Sequence, residues 1–353
     1  MADPGTDVAA TAGRDTRAPE IGAAGQRFVG VDLARGLAVV FMIFAHTSPS
    51  AIDIPTEYLT APLFALLIGV GLELAWRGAD VGPGRFILQN ALRGLILIIV
   101  GIPLAHAYPY IDVVLQSLGV LTIVLAPLVV LLHERPRLTA GLAVLAAVVA
   151  PPLMAATRAF VWEVPRPRWQ VELLSSLAAG YHYRLTSHLA FGLVGVVAIA
   201  WLSPRTGRGP RPATQLLTVG ALAIVTVAAY GGGRLAGLNT LPYSGTTLEI
   251  LGSCAFAAGA LIACWWLVAV APDGVRPLWS PLVATGRMAL TAYAVQILVL
   301  AAWMRSVGST WSDNQWVVLL AAEVACVGLS WVWVGLLRRM GPLEWVLRLP
   351  RQV

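Results

Sequence analysis

The sequence predicts an all-α fold: a polytopic integral membrane helix bundle of about ten transmembrane helices, with both termini cytoplasmic. Three observations carry this. The 353 residues are 58% hydrophobic and only 12% charged, with a mean hydropathy of +0.76. Soluble domains carry roughly 25% charged residues, so a chain this poor in charge needs lipid as its solvent. Apolar runs of about 18–24 residues recur along it, each long enough to cross a hydrocarbon layer of about 30 Å as a helix. Finally, the arginines gather between alternate runs, as expected when one side of the membrane is cytoplasmic.

Residues 1–27, rich in Ala, Gly, Asp and Thr, contain no apolar segment. They read as a disordered cytoplasmic tail and not as a cleavable signal peptide. Spans follow near 29–47, 59–76, 86–105, 111–132, 138–158, 185–202, 214–231, 247–270, 282–303 and 316–337. Residues 28–338 thus form one membrane-embedded ten-helix domain, and 339–353 a cytoplasmic amphipathic tail. In that tail Trp345 and Arg348 suit a short helix lying in the membrane surface.

With the N-terminus inside, 15 of the 24 arginines fall on the cytoplasmic side, 5 outside and 4 within or at the ends of spans. Three of the outside arginines lie in the segment 159–184, which also holds Trp162, Glu163, Trp169, Glu172 and His182. Those aromatics read as an interfacial belt; a lid or acceptor surface is the other reading. No internal repeat is visible, so a transporter built from inverted halves gains no support.

Several function classes fall away on composition. Every basic residue is arginine, which removes Schiff-base chemistry, pyridoxal-phosphate attachment and the Walker-A lysine. The arginines form no basic face, so no nucleic-acid partner is expected. Cys254, Cys264 and Cys326 stand in apolar stretches without zinc-like spacing and read as small buried hydrophobes. No metal is expected: only His182 and His188, six residues apart, approach ligand spacing.

Charges inside spans cost about 3 kcal/mol each on insertion scales and need partners or a task. The first span holds Asp32, Arg35 and His46. At about 100° per residue, all three fall on one stripe about 60° wide. Asp32 and Arg35, three apart, can pair. His46 lies eleven residues beyond Arg35, or roughly 16 Å along the axis. A structural ion pair with a satisfied histidine fits this pattern, and so does a cation aligned with a titratable base near the opposite face.

The spacing of Arg35 and His46, set in Asp32-x-x-Arg35-Gly36-x-Ala38, resembles the first-helix signature of the acyltransferase-3 membrane family. It is similar, too, to bacterial relatives of heparan-α-glucosaminide N-acetyltransferase. Other stretches resemble the YeiB-like membrane proteins: Leu63–Gly71, Gly101–His106, Asp112–Gly119, Gly286–Gln296 and Gly341–Arg348. Two departures matter. His46 stands where YeiB-like proteins commonly carry Asn, and the loop from Thr47 to Tyr58 lacks the longer His-containing loop of the mammalian-type N-acetyltransferases.

The resemblance implies transfer of a small acyl group, most simply acetyl, from a cytoplasmic acyl-CoA to a hydroxyl or amine. The acceptor would be extracytoplasmic or membrane-associated. Arg35 and Arg93 are then the donor-binding residues, Asp32 the supporting partner of Arg35, and His46 the catalytic residue. With an ordinary pKa near 6.5, His46 suits a general base; an acyl-imidazole intermediate is equally open. His106 and Asp112, flanking the turn after the third span, are candidates for the acceptor side or for pairing with one another; interface residues with no special role are the other reading. Arg93 requires an anion: Asp32, Glu73 or a bound phosphate. Arg287 can snorkel to lipid phosphate or hold those of the donor. Thr291 and Gln296 read as interhelical hydrogen bonds, while Glu249 and Glu323 need partners the sequence does not identify.

No permanently bound cofactor is expected, and the partners are acyl-CoA, membrane lipids and an unidentified acceptor. The alternative is a transporter or export-associated membrane protein whose charged stripe is a solute or proton path. A scaffold with purely structural ion pairs is the third reading. Abundant Ala, Arg and Gly without lysine point to a GC-rich bacterial genome, and the resemblance to bacterial membrane families implies the bacterial cytoplasmic (inner) membrane.

Overall fold

Ten helices are long and apolar enough to cross a bilayer: α1 Val29–Thr47, α2 Thr56–Arg77, α3 Pro83–Ala107, α4 Leu115–Leu132, α5 Pro136–Val161, α6 Leu185–Leu202, α7 Pro212–Leu235, α8 Thr247–Val270, α9 Ala289–Val307 and α10 Trp316–Leu337. The structure, a computed structural model, describes residues 28–47, 56–108, 110–163, 167–180, 182–205, 207–308, 315–337 and 339–352. No strand occurs among them. The expected tail 1–27 and most of the loop after His46 lie outside the described residues, as do the side chains of Trp162 and Trp169. The segment after α5 holds a short helix, Arg168–Leu174, and leaves the span count at ten.

The helices sort by how much protein surrounds them. In α2, 67% of the apolar stretch is buried, with α6, α1 and α4 close behind; in α7 the figure is 11%. The bundle therefore has an inner set (α1, α2, α4, α6, with α8 and α9) and an outer set that gives lipid much of its surface. Helix α2 packs along α6, α3 along α4, and α7 along α8. Lipid offers no hydrophobic gain for such pairings, so close backbone approach has to supply it. At the α2–α6 crossing, a Cβ on Gly69 would collide with the Gly192 carbonyl and one on Gly195 with that of Leu66. Gly69 is thus a packing residue.

The ninth span departs from its expected extent of 282–303. A half-helix, Ser280–Arg287, ends at Met288, where the backbone leaves helical geometry, and α9 restarts at Ala289. The half-helix lies against α1, so closely that a Cβ on Gly36 would strike the Leu282 carbonyl and one on Gly286 that of Asp32. This contact brings the break, and Arg287 with it, beside the Asp32–Arg35 pair.

A restarted helix exposes N–H groups that must find acceptors. Glu344 supplies them: its carboxylate accepts from Leu290 N (2.7 Å), Thr291 N (3.0 Å) and Thr291 Oγ1 (2.6 Å). Glu344 belongs to the short helix Pro342–Val346. The C-terminal segment accordingly folds back onto the bundle at the end where α1 begins. That end is called here the terminal face, and the other the distal face.

Most other charges inside spans are partnered. The fully buried Glu73 pairs with Arg77 (2.8 Å) and Arg205 (3.6 Å). Glu249 accepts from Ser253 Oγ and Gly245 N, both at 3.2 Å. Glu323 meets no hydrogen bond or ion pair among the described residues. The three cysteines are free and buried.

Candidate functional site

Two cavities lie end to end along the inner helices. The one toward the terminal face, about 400 Å³, is lined by Asp32 and Arg35 from α1, Asn90 and Arg93 from α3, Arg287 at the break, and Glu344 and Arg348 from the C-terminal segment. The one toward the distal face, about 450 Å³, is lined by His46 at the end of α1, Glu57, Asp112, His182 and the tyrosines 110, 183, 243 and 293. Phe64, Val114 and Tyr293 line both and stand between them. The Tyr293 hydroxyl accepts from Val114 N at 3.2 Å, which holds its ring in that wall.

Asp32 and Arg35 form the ion pair their spacing predicts, at 2.9 Å. The Asp32 side chain is almost wholly buried, whereas that of Arg35 keeps 31% of its surface open. Arg93 donates from Nε to the Leu347 carbonyl (3.1 Å) and from Nη1 to Asn90 Oδ1 (3.1 Å). Glu73, offered by the sequence as a partner for Arg93, is taken by Arg77 and Arg205 instead. The first cavity therefore gathers four guanidiniums against two carboxylates, and one of those, Glu344, is occupied in capping α9.

In the second cavity the Nδ1 of His46 lies 2.8 Å from the Gln296 side-chain amide. Asp112 shares this cavity; His106 does not. His106 and Asp112, offered by the sequence as a possible pair, do not pair with one another. His106 is exposed on α3 and turns its Nδ1 to the Ile102 carbonyl of its own helix at 2.8 Å. Asp112 pairs with His182 from the segment before α6. His188 is buried elsewhere, on the Arg184 carbonyl.

The Asp112–His182 pair ties the turn before α4 to the chain before α6 across the distal mouth. The hydrogen bond from His182 holds the Asp112 carboxyl below its ordinary 3.8, and the same bond lifts His182 above its ordinary 6.5. Glu57 adds to the rise in His182 and Arg184 opposes it. The stability it contributes is complete between those two ordinary values. It fades as pH rises through the raised His182 value and as pH falls through the lowered Asp112 value. Both side chains are half-exposed, so screening keeps the effect small. Melting curves of the wild type and Asp112→Asn should therefore differ most near pH 5 and converge at alkaline pH; a constant difference across that range would refute the pairing.

Sequence reasoning gave Tyr293, Glu344 and Arg348 no place in the site, and it read Gln296 as an interhelical hydrogen bond, which it makes to His46. Gln296 and Tyr293 share one face of α9, three residues apart; Glu344 and Arg348 come from the tail. The quoted motifs around Gly286–Gln296 and Gly341–Arg348 held the signal, since polar residues inside apolar motifs have to be satisfied somewhere.

Fold and cavities together define a multi-pass helical membrane protein with two neighbouring cavities that share Phe64, Val114 and Tyr293. Residues 206–350 match the profile of a family described as a protein of unknown function, DUF418, the family of the YeiB-like proteins. That stretch carries the break at Met288, Tyr293, Gln296, Glu344 and Arg348, and leaves α1 outside. No curated protein matches the chain.

Proposed function

We propose that the protein is an acyltransferase of the bacterial cytoplasmic membrane. It moves a small acyl group, most simply acetyl, from cytoplasmic acyl-CoA to a hydroxyl or amine on an extracytoplasmic or membrane-associated acceptor. The observation that carries this reading is the pairing of two neighbouring cavities, an arginine-rich chamber and a histidine chamber on opposite sides of the Phe64–Val114–Tyr293 wall. The excess of arginine at the terminal face argues that this face is cytoplasmic.

In this reading Arg35, Arg93, Arg287 and Arg348 hold the donor phosphates, and Asp32 orients Arg35. The thioester arm passes the wall toward His46. There the imidazole takes the proton from the acceptor O–H or N–H as its oxygen or nitrogen attacks the thioester carbonyl. The C–S bond breaks, and the imidazolium returns the proton to the departing thiolate. Attack by the imidazole itself, through an acyl-histidine, uses the same residues.

The first test is thermal stabilisation of the purified protein by coenzyme A, 3′-dephospho-coenzyme A and pantetheine. A ligand that binds only the folded state, at 100 times its dissociation constant, adds about 2.7 kcal/mol. Coenzyme A should stabilise the wild type, the dephospho form less so, and pantetheine without phosphates not at all. Arg348→Gln and Arg93→Gln should weaken the effect. If folded protein responds to none of the three, the donor assignment fails and a carrier using the same two cavities replaces it.

A further inference from the structure

His46 and Gln296 stand 250 residues apart in sequence, on α1 and α9, and the amide nitrogen Nε2 of Gln296 lies 2.8 Å from the imidazole Nδ1. Gln296 is fully buried, and its carbonyl oxygen Oε1 has no hydrogen-bond partner among the described residues. An unsatisfied buried carbonyl is costly. An amide, though, presents an acceptor and a donor of nearly equal size, exchanged by a half-turn about its last bond.

The two orientations have different chemical consequences. With the NH₂ group on Nδ1, the imidazole must accept there and carry its proton on Nε2, so the nitrogen left for the cavity is a donor. With the carbonyl on Nδ1, the imidazole donates there and leaves the Nε2 lone pair for the cavity. Only the second state is a base. Orientation of the amide and choice of tautomer are therefore one decision, because a histidine's tautomer is set by the bond its other nitrogen makes.

We infer that Gln296 is the positioning residue for His46: its side-chain carbonyl accepts from Nδ1–H and fixes the tautomer whose Nε2 is free to take a proton from a molecule in the distal cavity. In that state Oε1 gains a partner and the NH₂ group turns into the place Oε1 leaves, so the choice between the two orientations rests on the tautomer. A buried acceptor that holds an imidazole in its base tautomer is the device that nucleophile–histidine sites use. Tyr293, one turn earlier on the same face, lines the wall, so α9 supplies both the barrier and the residue that orients the base. The catalytic part of this inference rests on the acyl-transfer reading; the tautomer does not.

The experiment is ¹⁵N NMR of histidine-labelled protein in detergent, with the His46 signals assigned by their loss in His46→Gln. Wild type should carry the neutral His46 proton on Nδ1. Gln296→Glu, whose carboxylate only accepts, should keep it there, and Gln296→Leu should release a mixture of tautomers while the other four histidines are unmoved. In turnover, Gln296→Leu should lose roughly 10²-fold in kcat, the lower end of what a positioned base contributes, at unchanged KM for the thioester, with Gln296→Glu rescuing activity. An Nε2–H tautomer in the wild type, or His46 signals indifferent to Gln296→Leu, would overturn the inference. A fixed Nδ1–H tautomer in protein that consumes no thioester supports the positioning role and counts against the acyltransferase reading alone.

Discussion

Replacing His46 with alanine should lower acyl transfer by about 10²–10⁴-fold, the contribution of a positioned general base, and leave stabilisation by coenzyme A intact. The separation follows from the layout of α1. Arg35 and His46 share a stripe roughly 16 Å long, yet Arg35 lines the terminal cavity and His46 the distal one, with the Phe64–Val114–Tyr293 wall between. A change at one end leaves the lining of the other untouched. His46→Ala also removes the partner of a buried amide, at a cost of about 1–3 kcal/mol, so a second variant is needed. His46→Gln keeps a polar partner for Gln296 but cannot serve as a base at neutral pH. If His46 is merely a satisfied interfacial histidine, His46→Gln will behave as wild type in every assay. If it is the base, the substitution will abolish turnover while the protein still melts near the wild-type temperature and still binds coenzyme A.

What could be read from the sequence follows from what each feature depends on. A lipid solvent imposes its demand locally, since a helix must be apolar for its whole crossing; nine of the expected spans therefore fall on helices with shifts of only a few residues at their ends. The Asp32–Arg35 pair was equally legible, because helical geometry alone makes residues three apart neighbours. The break at Met288 was not. No proline marks it, and its cap, Glu344, arrives from 54 residues further along. Gln296 read as a generic interhelical hydrogen bond because its partner lies 250 residues away. His106 and Asp112 looked like a pair for the opposite reason: nearness in sequence suggested a contact that α3 prevents by pointing His106 back at Ile102. The family match, confined to 206–350, has the same bias. It covers the elements that complete the cavities and omits the helix that carries Arg35 and His46.

Glu344 is where the second large effect is expected. Glu344→Ala should destabilise the protein by about 2–4 kcal/mol, in keeping with the loss of charge-assisted hydrogen bonds worth about 1.5–3 kcal/mol each that are partly replaced by water at a half-buried site. The carboxylate meets both N–H groups of a restarted helix and the Thr291 hydroxyl, and Thr291 Oγ1 in turn accepts from Leu343 N at 3.3 Å. A negative charge at this position also favours the positive end of α9. Glu344→Gln keeps one acceptor and gives up the charge, so it should lose about half as much. The consequence reaches the cavity, because the same segment brings the Leu347 carbonyl to Arg93 and Arg348 to the lining. Glu344→Ala should thus lose both stability and stabilisation by coenzyme A, whereas Arg348→Gln should lose only the second. Hydrogen exchange reads the latch directly: the Leu290 and Thr291 amides, protected in the wild type, should exchange freely in Glu344→Ala. If they stay protected, the N-terminus of α9 is satisfied by some other group, and the tail is a passive cover and not a structural part of the site.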